Sequence, residues 1–163
     1  MAEGPISCTA KLGRNVQRLG NLREARTHFV AITNTEGRFE NTCHILKADL
    51  KFSNPHNGNA FKVQGCFVRT DGRSITGKPC LSVSLGMLES AHLVLLIRID
   101  GADEGFCTFT SWPFDPKAER RLAFGEWQLH IEVSSDADGG KTTAKWIIQL
   151  NPNLSSSWSF VGP

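Results

Sequence analysis

The chain has 163 residues, of which 40% are hydrophobic and 21% are charged, and its formal net charge at pH 7 is +2. This composition is that of an ordinary globular domain with its own core, and it excludes a disordered or fibrous protein. No apolar run approaches the roughly 20 residues of a membrane-spanning helix, and the small net charge gives no general preference for a polyanionic partner.

The cysteines are odd in number and irregular in spacing: Cys8, Cys43, Cys66, Cys80 and Cys107. The N-terminal residues lack a charged stretch followed by an apolar one, so we expect no signal peptide. Free, mostly buried thiols in a reducing, cytoplasmic compartment are therefore predicted.

Residues 1–26 form a basic leader without the period of a strand. Val16, Leu19 and Leu22 fall at helical spacing, which is compatible with a short helix over 15–26. The alternatives are a flexible leader or a segment packed across one end of the domain. As a functional element, the leader would be a docking arm for an acidic partner or nucleic acid. Its candidate contact residues are Arg14, Arg18, Arg23 and Arg26.

From residue 27 onward the pattern is that of β-strands. A strand over 27–33 is followed by one over 42–53, whose apolar side chains change face near Ile45–Leu46 and so predict a β-bulge. Further strands are predicted over 61–67, 81–87, 92–100 and 106–112, with loops at 54–59 and 71–79. The strand at 92–100 is apolar on both faces, which indicates a central position in a sheet.

The clearest strand pair comes next. Residues 125–135 and 141–150 alternate apolar and polar side chains, and the Asp- and Gly-rich residues 136–140 suit a tight reversal. This pattern predicts an antiparallel hairpin with Trp127 and Trp146 on the buried face. Matching the two faces predicts these cross-strand pairs: Val133 with Ala144, Ile131 with Trp146, Leu129 with Ile148, and Glu132 with Lys145.

Residues 152–163 form a C-terminal tail that is polar except for Trp158 and Phe160. We expect these two aromatic side chains to pack on the domain edge or on another chain. About eight short strands at roughly ten-residue spacing predict an all-β fold, a two-sheet antiparallel β-sandwich over 27–151.

The strand pattern resembles immunoglobulin-like modules common in bacterial and archaeal proteins. In those modules a strand ends in Asn and a small residue, and a small residue and Cys begin the next; Thr33-Asn34-Thr35 and Asn41-Thr42-Cys43 stand at these positions. Residues 125–140 resemble the penultimate strand and its turn. No Cys lies in that strand to bridge Cys43, as antibody-type domains would require. The resemblance implies an immunoglobulin-like sandwich that serves as a binding or accessory module, and it carries no site.

Local matches to catalytic and metal motifs lack the residues that their chemistry needs. Residues 72–78 nearly spell a phosphate-binding loop, but Pro79 stands where Mg²⁺ requires Ser or Thr, and a strand follows. Residues 136–139 resemble the start of a Ca²⁺ loop, but Ile147 stands where a bidentate Glu is needed. The histidines and cysteines show no metal-ligand spacing, and no nucleophile motif is present. We therefore predict no catalytic activity, cofactor or metal, although a site assembled from distant strands would leave no such local pattern.

Three functions fit these observations. The leading hypothesis is a non-catalytic module for protein–protein interaction or self-assembly, which would use the basic leader, the loops at 54–59 and 71–79, and the tail around Trp158. The alternatives are a carbohydrate or small-ligand sandwich with Trp112 as an outward stacking platform, and a nucleic-acid-associated module whose binding through the leader depends on salt.

Overall fold

The computed structural model describes residues 6–19, 23–34, 43–70, 75–85, 90–99, 105–110, 117–135 and 141–162. Thirteen strands run through these residues in chain order: β1 (Ile6–Leu19), β2 (Arg23–Asn34), β3 (Cys43–Ser53), β4 (Ala60–Gln64), β5 (Cys66–Thr70), β6 (Ile75–Cys80), β7 (Ser82–Leu85), β8 (Ser90–Ile99), β9 (Gly105–Cys107), β10 (Arg121–Leu122), β11 (Gly125–Ser135), β12 (Lys141–Leu150) and β13 (Ser156–Gly162). The described part of the chain contains no helix, and therefore none that could cross a membrane.

The strands form two antiparallel sheets, which confirms the predicted all-β sandwich. The seven-stranded sheet has the order β1-β2-β8-β5-β6, with β9 paired to β8 and β10 to β9. The six-stranded sheet has the order β13-β12-β11-β3-β4, with β7 also paired to β3. Thirteen strands are described instead of the expected eight. The strand predicted over 61–67 is two strands. β1 lies in the predicted leader, most of β6 in the predicted loop at 71–79, and β13 in the predicted tail, while β10 lies outside every predicted strand.

A single hydrophobic core joins the inner faces of the two sheets. Val30 and Leu93 of the seven-stranded sheet belong to the same buried cluster as Leu50 and Ile131 of the six-stranded sheet. Burying these faces against each other removes apolar surface from water, the main favourable contribution to folding.

The predicted hairpin of β11 and β12 is confirmed, with both indoles buried, but the predicted register was wrong by two residues. The observed pairs on the buried face are Trp127 with Ile148, Leu129 with Trp146, and Ile131 with Ala144. A slip of two residues leaves every side chain on the same face, so the alternating pattern could not detect it. Glu132 consequently contacts Lys141, at 3.1 Å between carboxylate and Nζ, rather than Lys145.

Two β-bulges shape the central strands. The pairing of β3 with β7 contains an extra residue between Cys43 and Leu46, which confirms the bulge predicted there. The central position of β8 is also confirmed, and its pairing with β2 leaves Leu95 without an opposite residue. This second bulge puts both Leu95 and Leu96 in the core, while Val94 belongs to a second buried cluster.

The strand predicted over 61–67 was wrong, because these residues belong to two strands in different sheets. β4 pairs with β3, whereas β5 pairs with β8, so the chain crosses between the sheets at Gly65. The Gly65 N–H donates to the Ala48 carbonyl at 2.7 Å. A Cβ on residue 65 would lie 2.6 Å from Leu93 Cδ1, so the close approach requires glycine. Apolar alternation continues through the crossing and therefore conceals it.

The short helix that was one alternative for residues 15–26 is not found in the described part of this segment. Residues 6–19 form β1, which pairs with β2 from Ile6 opposite Asn34 to Leu19 opposite Arg23. Short helices are marginal in isolation. Three apolar residues at helical spacing are therefore weak evidence for a helix where a long pair of strands can form. The boundary expected between residues 26 and 27 falls inside β2.

Candidate interaction surface

Residues 156–162, predicted as part of a polar tail, form the edge strand β13. A turn brings them back alongside β12: the Asn151 N–H donates to the Ser155 carbonyl at 3.0 Å. Within this turn Leu154 has a φ of 65°, a region that residues other than glycine seldom adopt, and it packs against the core. Its carbonyl accepts a hydrogen bond from Arg98 Nη1 at 2.9 Å, which ties the turn to the opposite sheet.

Trp158 is half-buried and anchors β13. Its ring stacks on His28 of the seven-stranded sheet at a centroid distance of 5.4 Å and lies edge-on to Trp146 at 6.2 Å. The indole N–H donates to Ser156 Oγ at 3.0 Å. The predicted packing of Trp158 on the domain edge is therefore observed.

Phe160 occupies a different environment. Its ring lies edge-on to Trp146 at 5.2 Å, yet 53% of the residue is exposed. Val161 is 58% exposed and Ile147 on the adjacent strand is 38% exposed. A bulge in the pairing of β12 with β13 leaves Val161 without an opposite residue. We call Ile147, Phe160 and Val161 the edge patch.

Two adjoining grooves lie on the outer face of the six-stranded sheet. The first has a volume of about 320 Å³ and extends from Lys51 and His130 to Lys145, Ile147 and Val161. The second has a volume of about 410 Å³, and its lining again includes Lys51 and His130. Ile147 and Val161 of the edge patch thus share one face with Lys51, His130 and Lys145, whereas Phe160 lies opposite the buried Trp146.

The arginines of the predicted basic leader lie on two paired strands. Arg14 and Arg18 belong to β1, and Arg23 and Arg26 belong to β2. Their backbones are placed by the pairing of β1 with β2, while their side chains lie outside what the structure describes. Their proposed role as a docking arm therefore stays a prediction.

The two predicted contact loops differ in how far the structure describes them. Residues 54–59 form a tight turn closed by a 2.7 Å hydrogen bond from the Asn54 N–H to the Asn59 carbonyl, with Asn54 buried and 55–59 exposed. Residues 71–74 lie outside the described residues, and 75–80 form β6 rather than a loop. The Trp112 stacking platform and the Asp- and Gly-rich residues 136–140 also lie outside the described residues.

One buried carboxylate serves a structural role. Glu119 accepts hydrogen bonds from Thr108 Oγ1 at 2.6 Å, the Thr110 N–H at 2.7 Å and Thr110 Oγ1 at 2.9 Å. These contacts attach the connection before β10 to the segment after β9. Hydrogen bonds of this kind offset the free-energy cost of burying a carboxylate inside a protein.

The thiols with described environments differ in accessibility. Cys66, Cys80 and Cys107 carry no disulfide, and Cys80 is exposed while the other two are buried. Burial raises the pKa of both the Cys66 and the Cys107 thiol to about 12. Neutral thiols are poor nucleophiles. Over the described residues, no group of three or more His, Cys, Asp or Glu side chains is arranged to hold a metal ion.

Comparisons of the chain with protein-family models, with curated proteins and with solved structures gave no significant match. The fold is therefore established only as a two-sheet antiparallel architecture.

Sequence reasoning missed β13 and the clustering of cations on the outer face. The first left a signal, because Trp158 and Phe160 alternate with serines at the period of a strand. The cluster on the outer face left no signal in the sequence, because Lys51, His130 and Lys145 are distant in the chain and meet only through the observed register.

Proposed function

We propose that this protein is a non-catalytic interaction module that associates with a second copy of itself through β13. The single observation that carries the proposal is an edge strand with an exposed apolar patch and no charged side chain. Within the described residues β13 pairs with β12 alone, so its other edge presents unpaired backbone groups. Its residues are SSWSFVG.

Sheet edges in natural proteins are usually protected from unwanted pairing. Common devices are lysine or proline on the edge strand, inward-pointing charges, and a covering loop or helix. β13 contains neither lysine nor proline, and Phe160 and Val161 are more than half exposed. An edge of this kind is well suited to pairing with another strand.

A second copy is the simplest partner for such an edge. Two β13 strands paired antiparallel about a twofold axis would join two six-stranded sheets into one continuous sheet. Each chain would then offer the same edge to the other, and Phe160 would lose much of its contact with water.

The test is the solution mass of the intact chain measured by light scattering over a range of concentrations. We expect a dimer for the natural sequence and a monomer, or an association at least roughly tenfold weaker, for Phe160→Lys. Phe160→Leu keeps an apolar side chain at the edge and should retain association.

Phe124→Lys is the matched control, because Phe124 is 44% exposed but lies before β11 and outside the edge patch. It should leave the dimer unchanged. Circular dichroism should first show that each variant keeps its strands. The proposal would be contradicted if the natural chain is monomeric at every concentration. It would also be contradicted if Phe160→Lys and Phe124→Lys weaken association equally.

Two finer expectations belong to the same proposal. The immunoglobulin-like type of sandwich is supported by the two antiparallel sheets and by Trp127 packed in the core between them. A reducing compartment is supported by the thiols of Cys66, Cys80 and Cys107, none of which carries a disulfide.

A further inference from the structure

A row of basic side chains crosses the outer face of the six-stranded sheet. The register places His130 of β11 opposite Lys51 of β3 on one side and opposite Lys145 of β12 on the other. Lys51 in turn lies opposite Lys62 of β4. We call these four residues the basic row. Like charges directly opposite each other on neighbouring strands destabilise a sheet, so the pair of Lys51 and Lys62 has an energetic cost.

The acidic side chains next to the row pair with Lys62 at its end and with Lys141 outside it. Asp49 contacts Lys62 at 3.8 Å, and Glu132 contacts Lys141 at 3.1 Å. Among the described residues, Lys51, His130 and Lys145 have no acidic partner. An anion bound between Lys51 and Lys145 would supply the missing countercharge.

The shape of the face supports a ligand at this position. The two grooves meet at Lys51 and His130, so the middle of the basic row lies in a continuous depression. At the Lys145 end the first groove is lined by Ile147 and Val161, which are apolar and exposed. The site therefore combines cations with an apolar end.

We propose that this face binds an acidic peptide segment of a partner protein. Carboxylates of the segment would contact Lys51, His130 and Lys145, and an apolar side chain would pack against Ile147 and Val161. The inference goes beyond self-association through β13, because the basic row lies on the sheet face and not at the backbone edge.

The charges beside the row favour a peptide over a nucleic acid. Asp49 and Glu132 lie opposite each other in the next row of the same face, within the second groove. Their carboxylates would repel the broad negative surface of a nucleic acid, whose binding depends on many phosphate contacts. A peptide is narrower, so its separate carboxylates can contact the lysines and stay away from Asp49 and Glu132.

The test is fluorescence anisotropy at low ionic strength with a short fluorescein-labelled peptide of glutamates ending in leucine. We expect saturable binding that weakens as salt screens the charges. Replacing Lys51 and Lys145 together with Gln should weaken binding roughly fivefold to tenfold. A peptide with Gln in place of Glu should bind weakly or not at all.

The matched control replaces Lys47 and Lys117 with Gln. Both are exposed and lie outside the basic row, so this variant loses the same charge and should bind as the natural chain does. Equal losses in the two double variants, or no binding of the glutamate peptide, would overturn the proposal. Tighter binding of a labelled single-stranded DNA would overturn it in favour of a nucleic acid.

The solution mass of the same samples separates this inference from the proposed self-association. The variant lacking Lys51 and Lys145 should keep the oligomeric state of the natural chain. Loss of peptide binding with an unchanged mass would localise the acidic ligand to the sheet face. A changed solution mass would show that the two lysines affect peptide binding by altering self-association, which would contradict the proposal.

Discussion

Residue 65 lies where the chain leaves one sheet and enters the other, in a space that admits only a hydrogen on Cα. An added Cβ would meet Leu93 Cδ1 at 2.6 Å and Ala48 Cβ at 3.2 Å. We expect Gly65→Ala to lower the free energy of unfolding by about 1–3 kcal/mol, because overpacking a core forces neighbouring atoms to move. Urea denaturation followed by tryptophan fluorescence measures the change.

Gly58→Ala is the comparison for this substitution. Gly58 has a φ of +73° but open space around its Cα, so its replacement should cost only about 1 kcal/mol through backbone strain. Combining Gly65→Ala with Leu93→Val shortens the clashing side chain and should recover part of the loss. If the Gly65→Ala and Leu93→Val effects are simply additive, the crowding is not the cause.

The buried thiols of Cys66 and Cys107 make stability sensitive to alkaline pH. Burial raises each thiol pKa from 9.0 to about 12. Below pH 9 the thiols are protonated in both folded and unfolded chains, so stability does not depend on them. Between pH 9 and pH 12 only the unfolded chain loses these protons, so stability should fall by up to about 1.4 kcal/mol per pH unit for each thiol.

Urea denaturation at several pH values above 9, with the natural chain and Cys107→Ala, tests this expectation. The chain contains no tyrosine, so no phenol titrates in the same range. The Cys107→Ala variant should show a shallower fall of stability with pH. Identical slopes for the two chains would contradict a buried, protonated Cys107 thiol.

At the scale of elements, β13 changes the interpretation of the C-terminus. The sequence predicted only a polar tail over residues 152–163. In the structure this segment supplies the Trp158 ring, which stacks on His28 and lies edge-on to Trp146, and it covers one edge of β12. A truncation would therefore test stability and association together, which is why a point substitution at Phe160 is the sharper test of assembly.

We expect removal of residues 152–163 to lower the free energy of unfolding by about 2–4 kcal/mol, because it exposes core side chains of β12 to water. Trp158→Ala should account for a large part of this loss, whereas Ser157→Ala, on the exposed face of β13, should be nearly neutral. Thermal denaturation followed by circular dichroism compares the three chains. An unchanged midpoint for the truncated chain would show that β13 contributes nothing to the fold.

The hairpin of β11 and β12 shows how far an alternating pattern can be taken. The alternation identified both strands and the buried faces of Trp127 and Trp146 correctly. It could not choose between registers two residues apart, since both bury the same side chains. The observed register is what brings Lys145 beside His130 and so creates part of the basic row.

At the scale of the whole molecule, the two sheets share one core but have different outer faces. The central strand β8 is buried on both sides, since Val94, Ile97 and Ile99 form a second buried cluster with β5 and β9. The six-stranded sheet instead turns charged side chains and two grooves outward. The described residues therefore give one sheet an apolar, buried outer side at β8 and the other a charged, exposed outer face.

The fold class, the hairpin, the bulge in β3 and the central position of β8 could all be predicted from the sequence. Each depends on which side of a strand a residue faces, and this follows from the local period of two. The crossing at Gly65, the register of the hairpin, the edge position of β13 and the basic row were decided only by the tertiary structure. They depend on which strands share backbone hydrogen bonds, and those partners, such as Lys51 and His130, are far apart in the chain.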